Sequence, residues 1–275
     1  MDKVFFAATH NTASRQKGRH IALAVFLAAS LLGSVAPARA NNIVTNGSFD
    51  LTTLTGSQQP TYGTGTGCTG GSLEDWCEGD GGTAGTTNNG TNALSLLYFA
   101  GTQAESVTDT FGANNFSLWQ GITHTIPNSS PSGGNFLVVD GGSGYNLSIY
   151  QTISGLTSGA SYQLSFYQAA GQQNGKTGAT TEQWQVTFGT QTLDSTLQSN
   201  PSEDFQPWTL QTMTFKATST SQILSFLALG TPNGVPPMVF LDGVSMAQVV
   251  PEPSSLAIAG LGLCALLVAR RLRRV

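Results

Sequence analysis

Cys68 and Cys77 stand nine positions apart in a Gly- and Thr-rich stretch, the only cysteines of the chain outside its terminal segments. Such a pair forms either a disulfide or half of a metal site. A metal would need further ligands nearby, and His124 is the only histidine between Asn41 and Val250. The pair therefore reads as a disulfide, worth at most ~3 kcal/mol through the lost entropy of the unfolded chain, and it suits an oxidising compartment. Adjacent acids occur at Glu74-Asp75 and Glu203-Asp204. Paired carboxylates are what glycoside hydrolysis requires, but neighbours along a strand point to opposite faces. No H-E-x-x-H, G-x-S-x-G, glycine loop leading to a lysine, or Cys–His couple is present, so the chain is expected not to be an enzyme. Sugar recognition instead needs aromatic platforms beside amides or carboxylates. The aromatic candidates are Trp76, Trp119, Tyr145, Tyr167, Trp184 and Trp208. Trp76 and Trp119 sit in acidic or Asn-rich, loop-like surroundings, and Tyr167 shares a strand face with Gln163 and Ser165; these three are the foremost candidate ligand contacts. Trp184 lies on an apolar alternating face and reads as core.

Charge narrows the partners. The chain carries a formal −4, but between Asn41 and Val250 only Lys176 and Lys216 oppose thirteen Asp and Glu, leaving −11. Phosphate backbones are held by clustered Lys and Arg, so nucleic acid is excluded as a partner. Cation binding and neutral-glycan binding fit this balance.

The elements that must position these residues are strands. Ser161–Gln168 (SYQLSFYQ) and Glu182–Phe188 (EQWQVTF) alternate apolar and polar residues, and similar segments run over Ile43–Phe49, Leu94–Phe99, Asn135–Asp140, Leu147–Ile153, Thr209–Ala217, Ile223–Leu229 and Met238–Met246. Period-two alternation between Gly, Ser, Asn and Pro turns predicts an all-β, antiparallel β-sandwich. About 210 residues suit one such domain, over 41–249. Thr52–Asn92 is Gly/Thr/Asn-rich and too long for an ordinary connection, so 51–132 is the less certain part, and Asn128–Gly134 reads as a simple turn.

Both ends read as targeting segments. Lys17 and Arg19 precede an apolar run, Ile21–Val35, and Ala38-Arg39-Ala40 is a small-x-small site, so residues 1–40 are expected to be a signal peptide cut after Ala40. At the other end, Pro251-Glu252-Pro253 follows Val250, an uncharged run fills 254–269, and Arg270, Arg271, Arg273 and Arg274 close the chain. The run makes a helix of roughly 24 Å, short for a hydrocarbon core of ~30 Å, and the arginines hold their end in the cytoplasm. An ordinary tail anchor suits these residues too. Cys264 in the run is most simply a small buried residue.

The order Pro-Glu-Pro, short apolar helix, arginine cluster resembles the PEP-CTERM sorting signal over 250–275, with Val250, Pro251, Glu252, Pro253, Arg270 and Arg271 as its processing residues. The resemblance implies a transmembrane helix at 254–269, a transient anchor in the inner membrane, processing by exosortase, and a final place at the cell surface or in the extracellular matrix. Asn41–Asp50, NNIVTNGSFD, and Phe240–Met246, FLDGVSM, together with 151–159 and 162–166, resemble the galactose-binding-like jelly roll of carbohydrate-binding modules. That resemblance implies a structural calcium shared by Asp50 and Asp242, and it makes exopolysaccharide or another glycan the expected partner of a non-catalytic domain. A purely structural envelope protein is the rival expectation.

Overall fold

The computed structural model describes residues 41–63, 67–79, 94–101, 107–108, 115–145, 147–250 and 253–272. Ala40–Val249 form one compact unit, and the tail from Val250 belongs to another. The strands of the first unit, in chain order, are β1 (Tyr62–Gly63), β2 (Leu73–Gly79), β3 (Ser95–Tyr98), β4 (Val107–Thr108), β5 (Asn115–Phe116), β6 (Phe136–Asp140), β7 (Ser148–Ser154), β8 (Ser161–Gln172), β9 (Thr180–Phe188), β10 (Gln191–Asp194), β11 (Gln198–Asn200), β12 (Gln206–Lys216), β13 (Ser221–Thr231) and β14 (Pro237–Gln248). The tail holds one helix among the described residues, α1 (Pro253–Leu272).

Two sheets make an all-β sandwich. One runs β1-β2-β7-β13-β9-β10, with β11 also on β9; the other runs β12-β8-β14-β6-β3. From β6 onward the chain crosses between sheets at almost every step, so most neighbours are distant in sequence and antiparallel. Eight of the nine predicted segments appear as β3, β6, β7, β8, β9, β12, β13 and β14. The ninth does not. Ile43–Phe49 runs beside β14, with the Ile43 N–H on the Met246 carbonyl and the Val244 N–H on the Gly47 carbonyl. It forms no strand because Asn46 and Phe49 take positive φ, 45° and 56°, which breaks the pleat. A Cβ on Gly47 would lie 2.0 Å from the Val244 oxygen, so only glycine admits this approach. Strand β2 escaped prediction for a similar reason: Asp75 at φ 66° interrupts the alternation of Leu73, Trp76 and Cys77.

The core lies between the sheets and is organised on Phe226. Its ring meets Phe166 at 5.3 Å, Trp184 at 6.0 Å and Trp76 at 6.1 Å, the first two close to perpendicular. Trp184 also donates its Nε1–H across the sandwich to the Phe240 carbonyl at 3.0 Å. Trp76 corrects the sequence expectation of an exposed platform. It is fully buried, packs on Phe49 at 5.2 Å, and gives its Nε1–H to the Asn46 carbonyl. The polar residues around it in sequence belong to the outward side of β2, and the indole belongs to the inward side. Cys68 and Cys77 form the expected disulfide, with Cα atoms 4.9 Å apart, and pack on Tyr150. A second, smaller core covers the outer face of the five-stranded sheet, where Leu118, Ile126 and Phe205 lie over Tyr98, Phe136, Val138 and Phe240.

Among the described residues, one carboxylate lies between the two sheets. Glu182 is fully buried on the inward face of β9, and neither oxygen finds a partner beyond the adjacent Thr180. Burial pushes it up to about 8, with the neighbouring Thr180 hydroxyl opposing the rise.

Two measurements follow. Trp76→Ala should cost about 3–5 kcal/mol in urea unfolding, whereas Trp119→Ala, at a half-buried position, should cost less than about 2 kcal/mol. With a chelator present, the contribution of Glu182 to folding stability should be fully present below its unfolded-state pKa, 4.5, and be lost as pH rises through about 8. The loss amounts to at most roughly 5 kcal/mol. Glu182→Gln should flatten that slope, equal to the parent near pH 4 and more stable near pH 9.

Candidate functional site

Where the two sheets end, the turns after β6, β8 and β13 enclose an open cleft of about 530 Å³. Its wall begins at Asp140, the last residue of β6. The Asp140 Oδ1 accepts the Gly142 N–H at 2.7 Å, which turns the chain out of the sheet. Gly141 then sits against the start of β14: its N–H reaches the Pro237 carbonyl and its carbonyl accepts the Gly230 N–H, each at 2.8 Å. From the facing turn Asn233 binds the segment, accepting the Ser143 N–H at 2.9 Å and donating to the Ser143 hydroxyl. Gln173 and Lys176 close the third side, and Tyr145 stands at the mouth with 39% of its surface exposed.

Asn233, Gln173, Tyr145, Lys176 and Asp140 line this one space. Burial pushes Asp140 up to about 6 against the pull of the Gly142 N–H. Among the described lining residues Asp140 is the only carboxylate, and glycoside hydrolysis by the common route takes two. Of the acid pair Glu203-Asp204, the Asp204 carboxylate serves structure. Burial would raise Asp204, but N–H donors from His124, Phe205 and Thr123 outweigh it and hold the carboxyl well below the usual range. That carboxylate thereby pins the 122–124 loop.

A second constellation joins Asp50 to Asp242. Asp242, on β14, is fully buried; its Oδ2 accepts the hydroxyls of Ser130 and Ser132, and its Oδ1 has no partner. Asp50 is exposed and its Oδ1 accepts the Asn135 N–H at 2.8 Å. Gly134, at φ 73°, passes so close that a Cβ there would meet the Asp50 carboxylate at 2.5 Å. The 130–135 segment therefore clasps both acids. Burial pushes Asp242 up to about 7, opposed by Ser130, Ser132 and the Gly243 N–H, and the charge of Asp50 adds to the rise. Two carboxylates held in mutual repulsion, one with an orphaned buried oxygen, fit a hard cation such as Ca²⁺.

The predicted ligand contacts do not share one surface. Trp76 is in the core. Trp119 is half-buried beside the cleft, its Nε1–H given to the Lys176 carbonyl at 2.7 Å. Tyr167 is half-buried opposite Asp242 on the neighbouring strand, against Gly243, and so belongs to the carboxylate clasp. Tyr145, one of the aromatic candidates in the sequence, is the one at the cleft; Gln173 and Asn233 were missed, since turn residues carry no periodicity. Ser130 and Ser132 were visible only as a Ser/Pro/Gly turn.

In the tail, Val250 is half exposed, Pro253 opens α1, and Arg270 and Arg271 occupy its last turn, the end at which the helix dipole favours cations. Pro251, Glu252, and the predicted signal peptide with Ala38 and Ala40 lie outside the described residues. The expected helix forms, but among the described residues no helix is long and apolar enough to cross a membrane. Cys264, expected to be buried, is exposed, as are Leu261 and Leu266 on the same helix.

Several solved structures resemble the chain. TmCBM61 in complex with β-1,4-galactotriose is 9% identical with a TM-score of 0.32, over 76% of this chain and 100% of that one. A candidate sugar-binding protein of Bacteroides thetaiotaomicron is 10% identical with a TM-score of 0.37, over 76% and 100%. The enzymatically active domain of bacteriophage CBA120 tailspike protein 4 is 12% identical with a TM-score of 0.36, over 76% of this chain, which spans only 21% of that one. No curated protein matches the sequence. The tail does match a family model, and residues 249–274 are a PEP-CTERM protein-sorting motif.

Proposed function

We propose that the protein is exported, processed by exosortase, and placed at the cell surface or in the extracellular matrix, where its sandwich associates with exopolysaccharide without catalysing a reaction. The sorting motif supports the route. In the precursor, residues 254–269 act as a transient inner-membrane anchor, with the arginines on the cytoplasmic side. The observation that carries glycan binding is the cleft itself, where an exposed tyrosine ring stands among the Asn233 and Gln173 amides and the Asp140 carboxyl. Ring stacking on a sugar face and amide contacts to hydroxyls together give weak, neutral-sugar recognition. A calcium ion between Asp50 and Asp242 fixes the 130–135 segment and relieves the repulsion of the two acids.

Three outcomes are expected. Mass spectrometry of the mature protein should show an N-terminus at Asn41 and a C-terminus at or near Pro251–Pro253; a chain still ending at Val275 in a cell with active exosortase would overturn the sorting reading. In affinity electrophoresis through the producer's exopolysaccharide, the protein should be retarded. Tyr145→Ala should abolish the retardation, and Asn233→Ala should weaken binding about tenfold, or ~1.4 kcal/mol. A folded parent that migrates unretarded through every neutral glycan would favour the structural role instead. Calcium should raise the melting temperature by mass action, and Asp242→Asn should remove the larger part of that rise.

A further inference from the structure

Inside the sandwich, away from the cleft and the Asp50–Asp242 clasp, four oxygen atoms among the described residues find no hydrogen-bond partner outside their own group: Glu182 Oε1 and Oε2, Thr180 Oγ1 and Asn200 Oδ1. Their residues are 0%, 3% and 0% exposed. Strand pairing brings them together. Thr180 and Glu182 are two apart on the inward face of β9, and β11 lies antiparallel beside it, with Asn200 opposite Thr180 and Gln198 opposite Glu182. Directly opposed residues place their Cβ atoms about 5 Å apart on one face. Asn200 cannot turn its amide round, because its Nδ2 donates to the Asp204 carbonyl at 2.9 Å, which aims Oδ1 the other way. Gly230 faces Glu182 from β13, and Pro237 fills the space that a side chain there would take.

The neighbouring interior amides are satisfied. Gln172 donates to the Gly178 carbonyl and accepts the Glu203 N–H, while Gln168 donates to the Thr196 carbonyl and accepts from Ser195. Among the described residues at this end of the sandwich the four oxygens are left over, and a buried polar atom without a partner costs about 1–3 kcal/mol. A carboxylate, an amide carbonyl and a hydroxyl are hard donors, the set that Ca²⁺ takes.

We propose that Glu182, Asn200 and Thr180 form a second, enclosed binding site for a hard divalent cation of the calcium class. It is independent of the glycan reading and of the Asp50–Asp242 ion. The cation ties β11 to β9 and holds the chain that leads on to Asp204 and its loop. A single carboxylate gives a weak site, in the range of extracellular modules at about 10⁻⁴–10⁻³ M.

Terbium(III) is the probe, because Trp184 lies two residues from Glu182 on the same inward face and sensitises its luminescence. The titration uses the full-length chain in detergent, carrying Asp242→Asn to disable the other site. Saturable luminescence that calcium displaces is expected. It should fall at least tenfold when Glu182→Gln is added, and affinity should tighten at least tenfold when Asn200→Asp is added instead, which supplies a second carboxylate. Absence of saturable luminescence in a chain folded by circular dichroism would overturn the site and leave a buried water beside a protonated Glu182 as its occupant. Retention of the signal in folded Glu182→Gln would overturn it equally. Should Glu182→Gln not fold, Asn200→Asp decides: no tightening overturns the proposal.

Discussion

The sandwich depends on the bond from the Trp184 indole to the Phe240 carbonyl, made where Trp184 also packs edge-on against Phe226. Antiparallel sheets are joined internally by their own ladders, but nothing in a ladder fixes one sheet against the other. Apolar contact alone would let the layers slide, since dispersion forces carry little direction. A buried N–H must find an acceptor or forfeit its hydration, and the Phe240 carbonyl on the facing sheet answers that need at one register only. Phe226 then gathers Phe166 from the other sheet and Trp76 from the loop-bound strand β2, so three otherwise separate parts share one packing centre.

From this centre the interior changes character along the strands. Toward one end it is apolar, with Phe188, Phe215, Leu224 and Met246; toward the other it fills with Gln168, Gln172, Glu182 and Asn200. Buried amides are tolerated because each finds a backbone partner in the turns, and those turns are thereby held in place. The polar end is thus where the fold spends hydrogen bonds to position loops. The cleft formed by the turns after β6, β8 and β13 lies where such loops gather. Function commonly sits at such a place, on connections held by a rigid scaffold.

The chain's acids separate into distinct roles by their surroundings alone. Asp204 is buried yet ringed by N–H donors and stays ionised; Asp140, Asp242 and Glu182 are buried with fewer donors and are pushed toward neutrality. With only two lysines between Asn41 and Val250, few side-chain cations exist to pair with them. A domain of this composition meets its buried negative charge with backbone donors, protons or bound cations.

By itself the sequence determined the strands that alternate with strict period, the sorting tail, the disulfide and the burial of Trp184. Each of these is local: alternation reports which face of a strand is apolar, and Pro-Glu-Pro followed by an apolar run and arginines is legible without any partner. It determined little of the site. Trp76 looked exposed because its neighbours in sequence are polar, and only the docking of β2 beneath Asn46 decided that its ring points inward. Asn128–Gly134 looked like a plain turn, yet its serines close on Asp242, more than a hundred residues away in the chain. Tyr145, Gln173 and Asn233 come from three separate turns, and the crossings between sheets bring those turns to one end. Such meetings follow from strand order and register, which are long-range properties that no window of residues contains.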